Sequence, residues 1–436
     1  MTVTRWRWAA VLVSVGALTI TACAGSDSGD ADPVSTDPLG SAAPSTDDTT
    51  MTESDSTTTS TTTTTSTTTS TSTSTTTIPE PPELRLNHVQ MLGSHNSFHL
   101  VPEPTLFAGI EAVSAELARD IEYSHRTLTE QLADFGIRQF ELDVFADPAG
   151  GLYANRAANA VVGLPPESGD AALDAPGFKV LHTQDFDFET TCLTLVTCLR
   201  EIDTWSGANP GHLPIMVLVE LKDLSVPEAA AEEGLELTID LPWALPVETT
   251  GEVLAALDAE VRSVFGAGRL FEPDELRGDA ATLAAAVGDT GWPAIDTLRG
   301  RVIVALNDAG GQRDLYIAET PVLEGRPMFT SSTPGAPDAA FVRFDDPFDP
   351  GLDEAAAAGY LIRTRTDSPT VDARANDAAS RDAALSSGAH FLSTDYYEPS
   401  TYFDSPYVVE LPGGGVARCN PITAPPTCRD DLLTEP

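Results

Sequence analysis

A small set of polar residues in this chain stands where chemistry could be done. Ser94-His95-Asn96 ends one apolar run, Glu141 and Asp143 lie within a second, His182 ends a third, and Glu220 with Lys222 ends a fourth. Glu141 and Asp143 are two residues apart, as are Glu220 and Lys222, so in an extended chain each pair points to one side. Together they offer three carboxylates, one amide, two imidazoles and a lysine. Three carboxylates and an amide oxygen, with no thiolate, suit a hard cation such as Ca²⁺ or Mg²⁺. Ca²⁺ takes about six to eight oxygens, which would leave about two or more positions for water and substrate. Each acid alone reads equally well as a solvated loop carboxylate. That reading weakens for Glu141, flanked by Phe140 and Leu142, because an unpaired buried charge is costly.

The elements that must position these residues follow from the apolar pattern. Val89–Gly93, Gln139–Phe145, Lys179–His182, Ile215–Leu221, Val302–Leu306, Met328–Ser331, Phe341–Phe344, Tyr360–Arg363 and His390–Ser393 read as buried strands. Helical stretches separate them. Thr127 with Glu130 forms a capping box, and Gly136 stops that helix before the second strand. Leu193–Trp205, Glu252–Phe265, Ala280–Val287 and Ala378–Leu385 carry apolar residues at helical spacing. This alternation predicts parallel strands with crossover helices, closed into a (β/α)₈ TIM barrel. An open doubly wound sheet would want a Gly-rich phosphate loop after the first strand, and Gly93-Ser94-His95-Asn96 is not one. Nine candidate strands for eight places imply that one, near Met328–Phe344, is an insertion or edge hairpin. In such a barrel the chemistry sits at the C-terminal ends of the strands, where the polar residues above collect.

The pattern resembles a known family. Leu92-Gly-Ser-His-Asn-Ser-Phe-His99 and Gln131-Leu…Gly136-Ile-Arg-Gln-Phe-Glu-Leu-Asp143 resemble the start of the phospholipase C catalytic domain and its bacterial calcium-dependent, phosphatidylinositol-specific relatives. Val180-Leu-His182 and Val217-Leu-Val-Glu-Leu-Lys222 continue the match in order, and similarity extends through Gly359-Tyr-Leu-Ile-Arg-Thr-Arg to Ser393-Thr-Asp-Tyr396. The resemblance implies Ca²⁺-dependent cleavage of a phosphatidylinositol-type lipid, giving diacylglycerol and an inositol phosphate. It implies that Asn96, Glu141, Asp143 and Glu220 ligate Ca²⁺ and that His95 and His182 flank the scissile phosphate. Glu141 is the carboxylate expected to take the proton of the attacking hydroxyl. An imidazole titrates near neutrality and can return a proton to the leaving group, a role expected of His182, with His95 stabilising charge on the phosphate. Lys222, Arg363 and Arg365 are candidates for binding substrate, with structural ion pairs as the alternative for each. His88, His99, His125, His212 and His390 read as surface or core histidines, and Trp205, Trp243 and Trp292 as core or loop anchors. Two other functions compete. A glycerophosphodiester phosphodiesterase shares a barrel and a Glu-x-Asp pair, but its first strand usually ends His-Arg, where this chain has His95-Asn96. A non-catalytic calcium-binding surface lipoprotein would need the oxygens but not the histidines.

The start of the chain points to export. Arg5 and Arg7 precede an apolar run from Ala9 to Ile20, too short for a bilayer span of about 20 residues, so it reads as a signal-peptide core. Ile20-Thr21-Ala22-Cys23 resembles the lipobox of bacterial lipoproteins, which implies a lipidated Cys23. Several acyl chains, at about 0.8 kcal/mol per buried CH₂, would hold the protein on the outer face of the bacterial cell membrane. A plain secretory signal with an incidental cysteine is the alternative. Residues 24–83, with a nearly pure Ser/Thr run over 56–77, cannot bury enough apolar surface to order themselves and are expected to form a flexible linker. A coil of that length spans roughly 40–50 Å. Residues 84–436 then form one folded domain. Without Cys23, four of the five cysteines remain, an even number suited to an oxidising compartment. Four cysteines allow three connectivities, and near-neighbour pairing gives Cys192–Cys198 and Cys419–Cys428. The net charge of −42 excludes nucleic acid as a partner. The expected partner is a phospholipid at a membrane surface, met by a monomer.

Overall fold

The computed structural model describes residues 83–436, apart from 233, 235, 236, 238, 267 and 369. The signal peptide, Cys23 and the linker up to residue 82 lie outside the described residues. Ten strands follow in chain order: β1 (Val89–Ser94), β2 (Gln139–Phe145), β3 (Lys179–Val180), β4 (Ile215–Lys222), β5 (Val302–Leu306), β6 (Phe329–Thr330), β7 (Phe341–Arg343), β8 (Leu361–Arg365), β9 (Phe391–Thr394) and β10 (Ala417–Cys419). Eight of them are parallel and neighbour one another in the order β6-β5-β4-β2-β1-β9-β8-β7. A parallel bridge between Ser331 and Phe341 joins β6 to β7 and brings the ring nearly to closure. The result is the (β/α)₈ barrel that the strand–helix alternation predicts.

Correction is needed on which strand lies outside the ring. β3 is a two-residue strand that pairs antiparallel with the far end of β2, Val144 facing Val180 and Phe145 facing Lys179. It is an arm beside the barrel. Both β6 and β7 are staves, although only ten residues separate their ends, fewer than the dozen or so that a crossover usually needs. Turns around Ser332–Ala340 replace the helix there.

The helices fall where the sequence puts them, with shifted ends. Thr127 caps Leu128–Asp134 through a complete capping box with Glu130, and Gly136 follows at φ +66°, a conformation that glycine adopts without a Cβ penalty. Leu195–Ala208, Gly251–Val264, Leu283–Asp289 and Ala379–Ser386 pack around the barrel. Within it, β2 and β5 are buried along their whole lengths, as expected for strands covered on both faces. Gly93 in β1 lies so close to β2 that a Cβ would fall 2.0 Å from Oε1 of Gln139. Trp292 is wholly buried and packs with Phe329 and Phe271. A second, smaller apolar cluster, including Leu106, Ile110, Ile121, Tyr153 and Phe188, supports the segments that follow β1 and β2 at the C-terminal end of the strands.

The opposite, N-terminal end, the base, is closed by the two ends of the described chain. Ile295, ahead of β5, donates to the carbonyl of Leu84 (2.8 Å), and Arg85 donates to the carbonyls of Thr290 and Trp292. β10 pairs antiparallel with the first half of β1. The disulfide Cys419–Cys428 closes the loop beyond it, and Cys192–Cys198 ties the arm to the start of the helix Leu195–Ala208. Glu435 receives the amide of Leu213 (2.7 Å) and the guanidinium of the buried Arg138.

Candidate active site

The turn after β1 is built by local hydrogen bonds. Asn96 takes a left-handed conformation (φ 42°), which asparagine tolerates better than most residues. Ser97 Oγ donates to the carbonyl of Ser94 (3.0 Å) and accepts from the amide of Glu141 (2.8 Å). Gln131 accepts from Ser94 Oγ (2.6 Å) and donates to the carbonyl of Ser97 (2.7 Å). This network locks the His95-Asn96 turn to the neighbouring strand and delivers both side chains to a cleft at the mouth. Asn96 Nδ2 donates to the hydroxyl of Tyr123 (3.3 Å).

β2 and β4 run side by side with Asp143 opposite Glu220 and Phe145 opposite Lys222. That register brings one oxygen from each of Glu141, Asp143 and Glu220 within 4.8 Å of one another. Lys222 Nζ lies 3.3 Å from Asp143 and also bonds Glu220. Asn307, just past β5, donates to Glu141 (3.1 Å) and to Glu220 (2.9 Å). Arg363 reaches Glu141 (2.5 Å) from β8 and continues to Asp345 (2.5 Å). Burial pushes both Glu141 and Asp143 above the usual carboxylate range. Burial opposes ionisation of Glu220 too, but Lys222 and Arg343 outweigh it and hold its pKa below the usual range. Asp143 Oδ1 is buried and has no hydrogen-bond partner. A buried, partnerless oxygen beside two further carboxylates and an asparagine is a donor set that fits a Ca²⁺ ion.

The two histidines are each anchored through Nδ1. His95 faces Asp395 (3.0 Å), just past β9, and His182 faces Asp187 (2.5 Å). An ionised carboxylate only accepts, so in each ring the proton at Nδ1 is fixed and Nε2 is the free nitrogen. Burial lowers the pKa of His95 well below its ordinary value, and Arg365, Arg363 and His182 add to this. Burial pushes Asp187 up, but the charges and hydrogen bonds of His99 and His182 outweigh it and bring the pKa to about 2. His99 is fully buried and bonds Asp187 through Nε2 (2.9 Å). The grouping of His99, His182 and Asp187 is therefore explained by hydrogen bonds, with no need of an ion.

The cleft brings together His95, Asn96, Glu141, Asp143, His182, Glu220, Lys222 and Arg365. Arg363 lies behind it, engaged by Glu141 and Asp345. His182 reaches the cleft from the loop after β3, outside the ring of staves. Asp187, Asn307, Asp395 and Tyr123 were not singled out from the sequence. Asp395 and Asn307 each directly follow a barrel strand, so the strand-end rule that found His95 could have found them. Asp187 lies in a loop and offered no such signal.

Comparison with known proteins gives a family. The sequence pattern of the Ca²⁺-dependent phosphoinositide phospholipases C matches residues 84–421. No curated protein matches the chain. Among solved structures, a calcium-dependent phosphoinositol-specific phospholipase C from a Gram-negative Pseudomonas species is similar at 16% identity and TM-score 0.45, over 77% of this chain and 96% of that one. A Ca²⁺-dependent phosphatidylinositol-specific phospholipase C from Streptomyces antibioticus is similar at 18% identity and TM-score 0.44, over 72% and 95%. The phosphatidylinositol-specific phospholipase C from Listeria monocytogenes gives 13% and 0.40, over 74% and 93%.

Proposed function

Because the chain belongs to the Ca²⁺-dependent phosphoinositide phospholipase C family, we propose that its mouth cleaves phosphatidylinositol to diacylglycerol and an inositol phosphate through the residues described above. Phosphodiester cleavage is its chemistry and Ca²⁺ its cofactor. One observation carries the assignment of roles. Two imidazoles, each held at Nδ1 by its own aspartate, open on the same cleft as the cluster of three carboxylates.

Asn96, Glu141, Asp143 and Glu220 hold the Ca²⁺. When bound, it supplies Lewis acidity that favours the deprotonated hydroxyl and offsets charge on the phosphoryl oxygens. The nucleophile is the ring hydroxyl next to the phosphate. Its proton passes to Nε2 of His95, which its buried, cation-lined setting keeps neutral and ready to accept. Glu141, the other candidate base, has both oxygens engaged by Asn307 and Arg363 and serves the metal. His182, held at Nδ1 by Asp187, gives a proton from Nε2 to the departing glycerol oxygen. Lys222 and Arg365 face the phosphate from the cleft wall, whereas Arg363 holds Glu141. A cyclic inositol phosphate is the first product.

We divide the chain as a lipoprotein signal peptide ending at Cys23, a linker over 24–83 and the catalytic domain from 84, where the family match begins. Lipidated Cys23 fixes the enzyme to the outer face of the cell membrane. Cys23→Ala should release it from the membrane fraction, and full retention would refute the anchor.

The deciding assay offers the protein phosphatidylinositol and glycerophosphoinositol, with and without Ca²⁺. The expected result is Ca²⁺-dependent release of diacylglycerol, with a cyclic phosphate visible by ³¹P NMR. Preferential cleavage of glycerophosphoinositol would favour a glycerophosphodiester phosphodiesterase. Cation binding without turnover would favour a non-catalytic calcium-binding lipoprotein.

A further inference from the structure

One wall of the cleft is made by Asp120, Ile121 and Thr370, which the proposed mechanism does not use. The backbone there is clamped. Asp120 ends the helix Ala115–Asp120, which Ser114 caps through the amide of Leu117. Thr370 Oγ1 and Arg374 Nη2 both donate to the carbonyl of Arg119 (2.9 and 3.2 Å), and Arg374 also pairs with Glu122 (2.6 Å). Among the described residues, the Asp120 carboxylate itself makes no ion pair or hydrogen bond. The two basic residues that line the same cleft are both committed. Lys222 is held by Asp143 and Glu220, and Arg365 by Asp395 (2.9 Å) and the carbonyl of Asp367 (2.8 Å). Burial, then the nearby Glu116, pushes the Asp120 pKa up to about 6, although the charges of Arg119 and Arg374 pull it the other way.

We propose that Asp120 is a specificity-determining residue of this site. It accepts hydrogen bonds from inositol ring hydroxyls remote from the scissile phosphate, and it turns away rings that carry additional phosphates. The chemistry follows from charge and valence. An ionised carboxylate only accepts hydrogen bonds, and ring hydroxyls supply donors. A second phosphate on the ring supplies acceptors and negative charge, and the two cations lining this cleft are already paired. Asp120 stands three residues beyond Leu117 on a helix fixed at both ends, so its backbone is positioned in advance of binding.

This inference rests on the proposed function. The test measures steady-state cleavage of phosphatidylinositol and of phosphatidylinositol 4-phosphate, each diluted in phosphatidylcholine vesicles with Ca²⁺, by the full chain. The wild type should prefer the unphosphorylated ring by about tenfold or more. Asp120→Asn should raise KM for phosphatidylinositol about tenfold, the worth of a charge-assisted hydrogen bond, with kcat within about twofold. Asp120→Lys should bring the two substrates to parity or reverse their order. If a variant does not fold, Asp120→Glu, which keeps the charge and displaces it, should still narrow the preference. An unchanged KM in Asp120→Asn, or equal cleavage of both lipids by the wild type, would overturn the inference alone. Cleavage of neither lipid would overturn the proposed function with it.

Discussion

Arg138 lies just ahead of β2 at the base of the barrel and Arg363 on β8 at its mouth, and each is 1% exposed. At the base, the guanidinium of Arg138 is shared between Glu435 and the carbonyls of Leu132 and Ile137. At the mouth, Arg363 serves Glu141, Asp345 and Ser393, and its Nε has no partner. The histidines repeat the contrast. Both nitrogens of His390, at the base, are used by backbone groups of Ile362 and Asn87. His95 and His182 have one nitrogen anchored and one facing the cleft. Buried atoms without partners also gather at the mouth, in Asp143 Oδ1 and Asn307 Oδ1. Buried polar groups are normally satisfied. At the base Arg138 and His390 meet that rule with protein atoms, although Asn87 Oδ1 and Arg301 Nε there also lack partners, and at the mouth the open valences fall where a cation and a substrate would sit.

If this contrast is right, mouth substitutions remove activity at little cost in stability, and base substitutions do the reverse. The largest effects are catalytic. His95→Ala and His182→Ala should each lower kcat by about 10²–10⁴, with melting temperatures near wild type. A substrate with a very acidic leaving alcohol should rescue His182→Ala and leave His95→Ala slow. Equal rescue of both would sink the division of labour. At the base, Glu435→Gln should cost about 3 kcal/mol, since it strands a buried guanidinium, and should leave kcat/KM unchanged where the protein is folded. Urea denaturation and assay at low temperature check this together.

Asp143→Asn sharpens the comparison. In chelator its stability should match or exceed wild type, because it removes a buried charge raised by burial. It should lose the gain that Ca²⁺ gives wild type, about 2.7 kcal/mol at a hundred times Kd. A variant that melts early in chelator would show that the mouth carboxylate is structural. The effect smallest at neutral pH, growing only in acid, belongs to His390, whose pKa burial pushes down to about 4. The unfolded chain takes up this proton first as pH falls below about 6.5, so stability drops between about 6.5 and 4. The slope is at most about 1.4 kcal/mol per pH unit. His390→Gln should flatten the acid limb of the stability curve by that amount, and an unchanged limb would remove His390 from the account.

Much of this was legible in the chain itself. The period of two in β2 and β4 put Glu141, Asp143, Glu220 and Lys222 on one side, and parallel register did the rest. His182 was found through a run that looks like a stave and folds as an arm. The four residues Lys179-Val-Leu-His182, two of them apolar, carry no mark of which strand they pair with, or in which direction. The stretch around β6 and β7 read as an insertion or edge hairpin because nine candidate strands competed for eight places, and here turns do the work of a helix. Asp395 carries the strand-end signal, but its role rests on a partner 300 positions away, a pairing that only the closed ring creates. The open state of Lys222, Arg363 and Arg365, binders or ion-pair partners, turned on distances that no spacing encodes.

The chain enters the barrel at the base, through Leu84 and Arg85, so any pull from an anchor upstream is applied to the end remote from the cleft. Were the chain anchored upstream, as proposed, that point of entry would favour a cleft turned away from the anchoring surface. An anchored copy could graze its own membrane only by capsizing, with its leash running the height of the barrel. The eight residues of β4 span roughly 26 Å, the least distance such a leash would have to cover. On the proposed anchoring, linker length would decide which surfaces the cleft can reach. Cut well below the barrel's height, it would leave an intact enzyme that can work only on what faces it.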